Sequence, residues 1–72
     1  MNEIMKEFIR LILRLLSDGE FHSIDELSRR LNVPFEFVME VSRFLEKWSF
    51  AELNEEGRRV KLKPDFLRLP QD

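Results

Sequence analysis

The chain has 72 residues, a formal net charge of −2, no cysteine and one histidine. Its length indicates one domain (residues 1–72), and its charge argues against a general polyanion binder, since such proteins are usually basic. No disulfide framework or cysteine-based zinc site is available, and there is no glycine-rich phosphate loop, so we expect no metal, no cofactor and no catalytic activity. A reducing cytoplasm is the expected location, and abundant glutamate and arginine with one glutamine is typical of a thermophile.

The first predicted helix is capped by Asn2 and runs to about Ser17, with Gly19 at a left-handed exit. Arg10 and Arg14 interrupt its apolar stretch and no small-residue cleavage site follows, so we interpret it as neither a membrane span nor a signal peptide. Its apolar residues cover roughly 200° of the helical wheel, more than one core face requires. Either the domain wraps this helix on two sides, or part of it forms a homodimer seam. The residues of that seam would be Met5, Ile9, Leu13 and Leu16.

A second helix is predicted after a linker or short strand at residues 20–22, in which His22 is interpreted as an ordinary turn residue rather than a pH sensor. Ser23 is a good N-cap, and Glu26 three residues later completes a capping box. The apolar positions then repeat at helical spacing on one face. They are Ile24, Leu27 and Leu31.

A third helix is predicted from Phe35 to about Trp48, after Asn32, which tolerates a left-handed helix exit, and Pro34, which suits a helix start. At 100° per residue the helix has one apolar arc and one polar arc. The predicted core arc holds Phe37, Val38, Val41, Phe44, Leu45 and Trp48. The opposite, outward arc holds Glu36, Met39, Glu40, Arg43, Glu46 and Lys47.

The C-terminal part predicts a β-hairpin, with strands at residues 50–53 and 58–63 and a turn at residues 54–57. Val60 and Leu62 alternate with basic residues in the second strand, which gives the hairpin a basic outer face. Pro64 ends the pairing, because proline has no donor for the ladder. Phe66, Leu67 and Leu69 are expected to cover an open edge of the core, and residues 70–72 to fray.

The order of these elements resembles the winged helix-turn-helix family over the whole chain. SIDELSRRLNVP is similar to the family's second helix and turn, VMEVSRFLEKWSFAEL to its third helix and following strand, and NEEGRRVKL to its wing. The resemblance implies a mainly α fold, a three-helix bundle plus a C-terminal β-hairpin wing. Small archaeal and bacterial members are mostly transcription regulators, so the resemblance also implies binding to double-stranded DNA.

The positions that match the family's DNA-contacting surfaces fall into two groups. The recognition helix would contribute Phe35, Glu36, Met39, Glu40, Arg43 and Lys47. The wing and backbone contacts would come from Arg29, Arg30, Arg58, Arg59, Lys61 and Lys63. The family often has glycine where this chain has Ser49, and because a serine in a left-handed exit costs about 1 kcal/mol, a different helix end is expected.

Two alternatives follow from the chemistry of these groups. The basic wing either grips phosphate or is a solvated strand face that discourages edge pairing. Phe35 and Met39, among acidic residues on the third helix, either anchor a protein partner in place of DNA, or Phe35 folds back and Met39 is merely exposed.

Overall fold

The computed structural model describes residues 3–66, which form three helices and a small antiparallel sheet, as the sequence predicts in outline. A 3₁₀ turn follows the last strand. The elements are α1 (Glu3–Leu15), β1 (His22–Ser23), α2 (Ile24–Leu31), α3 (Phe35–Lys47), β2 (Ala51–Asn54), β3 (Arg59–Leu62) and the 3₁₀ helix (Pro64–Phe66).

The local start and stop signals around α2 work as the sequence predicts. The Ser23 side chain accepts a hydrogen bond from the Glu26 backbone N–H at 2.8 Å, which caps the helix. The helix ends at Asn32, whose φ of 57° is left-handed. Ser28 Oγ then donates to the Val33 carbonyl at 2.6 Å and holds the short connection to α3. The turn between the two helices is therefore fixed by polar side chains of its own residues.

Strand β3 is the centre of the sheet, because it pairs with β1 on one side and with β2 on the other in the order β1-β3-β2. Both pairings are antiparallel, with Val60 opposite His22 of β1 and Leu53 of β2. The interpretation of the basic strand as a solvated face that discourages edge pairing is therefore wrong in its edge position, because β3 has a neighbour on each side. Strand β2 pairs with all of β3, and the two-residue β1 pairs with Arg59 and Val60.

One hydrophobic core joins the three helices to the inner face of the sheet. Val60 and Leu62 of β3 point inward as their alternation predicts, and Ile24 and Leu27 carry the buried face of α2. The complete buried set is Phe8, Ile12, Leu16, Ile24, Leu27, Val38, Met39, Val41, Leu45, Ala51, Val60 and Leu62.

The buried face of α3 is rotated from the predicted one, so part of the predicted core arc is wrong. Phe44 and Trp48, which were expected in the core, are 41% and 57% exposed. Met39, expected on the outer face, is buried, and so is Ser42. The helix therefore packs through aliphatic side chains and Ser42, and the rings of Phe44 and Trp48 lie at the border of the core.

Phe37 occupies an intermediate place on this rotated helix. It is half-buried, and its ring centroid lies 4.4 Å from that of Phe8 on α1, with the two planes inclined at 59°. Tilted aromatic pairs at this distance are favourable beyond the area they bury. This pair is one of the contacts between α1 and α3.

Helix α3 ends in a left-handed residue although no glycine is present, so the expectation of a different helix end is wrong. Ser49 has a φ of 64°. Its N–H donates to the Glu46 carbonyl at 2.9 Å, and the Phe50 N–H donates to the Leu45 carbonyl at 2.8 Å. These two bonds form a Schellman motif, which satisfies carbonyls that the helix end would otherwise leave free.

Helix α1 ends at Leu15, two residues before the predicted end, and a tighter turn follows in which the Ser17 N–H donates to the Arg14 carbonyl. Gly19 has the predicted left-handed conformation, with a φ of 77°. The cap assigned to Asn2, the core cover assigned to the side chains of Phe66, Leu67 and Leu69, and the fraying of residues 70–72 lie outside what the structure describes.

We expect replacement of Ser42 by alanine to raise the free energy of unfolding by about 1 kcal/mol. Within the described part of the chain the Ser42 hydroxyl is fully buried and has no hydrogen-bond partner, so its removal relieves a desolvation cost. Urea unfolding followed by circular dichroism measures the change.

Ser28→Ala is the matched control, because the Ser28 hydroxyl is also partly buried but does donate a hydrogen bond. Its loss should lower the free energy of unfolding by about 1 kcal/mol. If Ser42→Ala destabilises the protein as much as this control does, the Ser42 hydroxyl has a partner and the prediction is wrong.

We expect Ser49→Gly to raise the free energy of unfolding by about 0.5–1 kcal/mol, because glycine adopts the left-handed conformation without the steric cost of a Cβ atom, partly offset by the entropy of the unfolded chain. Ser17→Gly, at a serine whose φ is not positive, should have the opposite sign. Thermal unfolding of the two variants beside the wild type tests this, and equal signs would contradict it.

Candidate nucleic-acid interface

The turn of the β2–β3 hairpin places a basic residue against the start of α3. Asn54 Oδ1 accepts a hydrogen bond from the Gly57 N–H at 2.8 Å, and Arg58 follows with a φ of 55°. The Arg58 carbonyl accepts from the Ile24 N–H at 2.8 Å, which ties the turn to α2. Its guanidinium carbon lies 5.4 Å from the centroid of the Phe35 ring. The left-handed backbone at Arg58 therefore lies within a turn that bonds to α2 and contacts α3.

The outer face of the sheet carries two more cations over an aromatic ring. Arg59 and Lys61 alternate with the buried residues of β3, as the sequence predicts. The Arg59 guanidinium carbon and the Lys61 Nζ lie 5.3 and 4.8 Å from the centroid of Phe21. Phe21 itself is 36% exposed. Cations over a ring face are attracted by its quadrupole, so Phe21 holds both of them in place.

The hairpin cations Arg58, Arg59 and Lys61 differ in their ion pairs from several cations of the helices. Within residues 3–66 no ion pair involves Arg58, Arg59 or Lys61, whereas basic residues of each helix do form such pairs. An exposed cation without a carboxylate keeps its full attraction for an anionic ligand. Arg58, Arg59 and Lys61 are thus available to an anionic ligand without first breaking an ion pair within residues 3–66.

The outward face of α3 has the opposite character. Arg43 donates to Glu40 Oε1 at 2.9 Å and to Glu55 Oε1 at 3.3 Å, so two carboxylates surround this one guanidinium. The hydrogen bond to Glu55 is the main reason that the pKa of Arg43 is raised, with Glu40 adding to it. Glu36 and Glu46 are also exposed. This face would repel phosphate rather than attract it.

The apolar residues predicted on that face are arranged differently from the prediction. Met39 is 6% exposed and belongs to the core, so its placement on an outward surface is wrong. Phe35 is half-buried, packs against the core and lies under Arg58. The third helix therefore does not present Phe35 and Met39 together as two apolar anchors.

The other predicted contact residues are spread around the hairpin and helices. Arg29 and Arg30 are exposed in the last turn of α2, where Arg30 pairs with Glu26 at 3.4 Å. Lys63 is half-buried after β3. Lys47 is exposed, and its Nζ lies 5.9 Å from the ring centroid of Trp48. The structure therefore brings three of these residues against aromatic rings near the hairpin turn and leaves the rest separate.

The prediction that Leu16 belongs to a homodimer seam is wrong, because its side chain has no exposed surface and is enclosed by the core. Met5, Ile9 and Leu13 are half-buried on one flank of α1. Met5 and Ile9 border a groove that is lined on its other side by α3.

His22 is not an ordinary turn residue. Its side chain is 13% exposed, and its Nε2–H donates to the Asp18 carboxylate at 2.9 Å while Nδ1 lies 3.5 Å from Glu26 Oε2. Burial lowers the pKa of His22, but the hydrogen bond and charge of Asp18, together with Glu26, outweigh it and raise the pKa above 6.5.

The pKa of Asp18, the nearer partner of this histidine, is shifted in the opposite direction. The backbone N–H of Glu20 donates to Asp18 and is the main reason that the pKa of Asp18 is lowered, with the hydrogen bond from His22 adding to it. Within residues 3–66 no group of three or more histidine, cysteine, aspartate or glutamate side chains is placed to hold a metal ion. The arrangement around His22 joins β1 by charge to α2 and to the turn that follows α1.

Sequence reasoning missed two residues of this region. The first is Phe21, which was predicted to lie in a linker or short strand. It directly precedes β1, and its ring lies on the outer face of the sheet with Arg59 and Lys61. The signal for His22 was its spacing, since Asp18 and Glu26 lie four residues before and four residues after it.

Comparisons with protein-family models, with curated proteins and with solved structures give no match. No helix in residues 3–66 is both long enough and apolar enough to cross a membrane.

The raised pKa of His22 predicts a loss of stability as the solution becomes more alkaline. A group whose pKa is higher in the folded state contributes its full stabilisation below the unfolded pKa, about 6.5, and loses it as the pH rises through the folded pKa. We expect the free energy of unfolding to fall across this interval in the wild type and to stay nearly level in His22→Gln. Because the chain has one histidine, the ring proton signal in an NMR titration gives its pKa directly.

Asp18→Asn is the informative control, since it removes the nearer carboxylate and keeps the histidine. The pKa of His22 in the folded Asp18→Asn variant should lie below the pKa of His22 in the folded wild type. A wild-type pKa at or below 6.5, or an equal pH dependence in His22→Gln, would contradict the assignment.

Proposed function

We propose that this chain is a winged helix-turn-helix domain that binds double-stranded DNA, as a transcription regulator does, and that it holds the DNA mainly through its wing. The wing is the β2–β3 hairpin with its turn. The observation that supports this most directly is the group of three cations beside aromatic rings, Arg58 over Phe35 and Arg59 with Lys61 over Phe21.

The aromatic rings give these cations a defined position. A long basic side chain loses conformational entropy when it binds a phosphate, and one that already lies against a ring has less to lose. A guanidinium group stacked by its flat face keeps its N–H groups at the edge, where they donate to phosphate oxygens. Phosphate contacts of this kind supply most of the affinity in protein–DNA binding, and they position the protein without reading sequence.

The acidic α3 argues for this mode over deep insertion of the third helix into a major groove. Glu36 and Glu40 would face the DNA backbone, and Arg43 is already held by two carboxylates. In the proposed complex the wing grips phosphates beside a minor groove, Arg29 adds a backbone contact, and α3 contributes little. A protein-binding role in which Phe35 and Met39 are the two anchors has less support, because Met39 is in the core.

The test is a fluorescence-anisotropy titration of a mixed-sequence duplex at several salt concentrations, with the wild type and the triple variant R58Q/R59Q/K61Q. Three lost phosphate contacts should weaken binding by at least about tenfold at low salt and reduce the slope of log K against log salt by about 3. The substituted side chains are exposed or half-buried and lie outside the core, so the fold is expected to persist.

The matched control is K6Q/R10Q/R14Q, which removes the same three charges from the exposed face of α1. It should keep most of the affinity and nearly all of the salt slope. If this control weakens binding as much as the wing variant, the attraction is one of overall charge. If the wild type does not bind at low salt, where electrostatic binding is strongest, the proposal fails.

A further inference from the structure

An apolar strip runs along the surface between α1 and α3, away from the wing. It contains a groove of about 150 Å³ whose lining is almost entirely apolar. Phe44 and Trp48 continue the strip along α3, with ring centroids 6.5 Å apart. The residues that line the groove are Met5, Ile9, Phe37, Glu40, Val41 and Phe44.

The exposure along this strip is larger than scattered surface residues produce. Phe44 is 41% exposed and Trp48, the one tryptophan of the chain, is 57% exposed. Contiguous apolar surface of this kind is typical of an interaction site. Aromatic residues at the centre of such a site are the ones that usually carry the binding energy.

The two edges of the strip carry opposite charge. At 100° per residue, Lys6 and Arg10 follow Met5 and Ile9 around α1, so they lie along its outer edge. Glu36 and Glu40, four residues apart, lie along the outer edge on α3. Lys47 is on the same edge near the end of α3, where it is drawn over the Trp48 ring.

From this arrangement we infer that the strip binds a second copy of this chain. A surface with a basic edge and an acidic edge becomes complementary to itself when a two-fold axis runs along it, because the rotation lays α1 of one copy over α3 of the other. Lys6 and Arg10 of each protomer then face Glu36 and Glu40 of its partner, and the aromatic rings of both meet in the middle. A partner with one sign of charge would match one edge only.

The intrahelical ion pairs do not prevent this arrangement. Lys6 and Arg10 lie 3.6 and 3.7 Å from Glu3 and Glu7, and all four of these side chains are more than half exposed. On the other edge, Glu40 lies 2.9 Å from Arg43, with side chains that are 68% and 45% exposed. Exposed pairs of this kind are weak and exchange readily for better ones. Two helices of 13 residues offer a contact about 20 Å long, which is small beside a standard interface, so the dimer should be in rapid exchange with the monomer.

The first measurement is sedimentation velocity of the full chain from about 10 μM to about 1 mM at about 0.15 M salt, where long-range attraction is screened. We expect the wild type to shift from monomer to dimer within this range. Phe44→Ser should shift the equilibrium towards monomer by at least tenfold. Ile4→Ser is the matched control, since Ile4 is 82% exposed on the opposite flank of α1 and its loss should leave association unchanged.

The decisive experiment exchanges the charges of the two edges. In K6E/R10E both edges are acidic, and in E36K/E40K both are basic, so each variant alone should be monomeric. An equimolar mixture restores opposite charges at both contacts of the dimer, and it should associate as strongly as the wild type.

The control for overall charge replaces E36K/E40K in the mixture by E20K/E56K, which has the same net charge but places it at exposed sites outside the strip. In this mixture K6E/R10E should stay monomeric, while E20K/E56K, whose strip is unchanged, should pair only with itself. The inference is overturned if the wild type stays monomeric over the whole range, if the first mixture stays monomeric, or if K6E/R10E pairs as strongly with E20K/E56K as it does with E36K/E40K. A monomeric wild type would leave the groove to a different occupant. In the DNA titration, the comparison of the wild type with R58Q/R59Q/K61Q leaves this surface unchanged, because the wing and the strip share no residue, so failure of one proposal is distinguishable from failure of the other.

Discussion

The pairing of β3 on both of its edges is the interaction on which the rest of the structure depends. Its hydrogen bonds to β1 and β2 fix the register that turns Val60 and Leu62 into the core and Arg59 and Lys61 outward. A shift of one residue would exchange the two sets, so the core and the basic surface are determined together. A shifted register would bury Arg59 and Lys61, which is costly for charged side chains. The same cost therefore disfavours any loss of the correct fold and any loss of the basic outer face.

The parts of the fold that the sequence predicts well are those set by local chemistry. Ser23 caps α2, Asn32 ends it, and Gly19 takes the left-handed exit after α1, because each of these depends on the preferences of one residue and its near neighbours. The hairpin follows from alternation, and its strands are within one residue of the predicted bounds. That β3 would be the central strand depends on β1, which is too short to give a pattern of its own.

The features that were not predicted depend on which side chains meet in space. The helical wheel of α3 is dominated by Phe44 and Trp48, yet the helix packs through Val38 and Leu45 with Ser42 between them, because the space beside α1 and the sheet is limited. Ser49 adopts a left-handed conformation that its own preference opposes, since the two hydrogen bonds of the helix end outweigh the local strain. In the candidate interface the cations were identified from alternation. Phe21, which orders two of them, was found only when β1 and β3 were seen together.

The position of Trp48 gives this protein a spectroscopic property. The indole is the one tryptophan fluorophore of the chain, and more than half of its surface is in water while the protein is folded. Unfolding changes the emission little, because the ring is already hydrated in the folded protein. The emission therefore reports mainly the environment of the α1–α3 surface. A molecule that covers this surface would exclude water from the indole and shift its emission to shorter wavelength, so occupancy can be followed on the unlabelled protein.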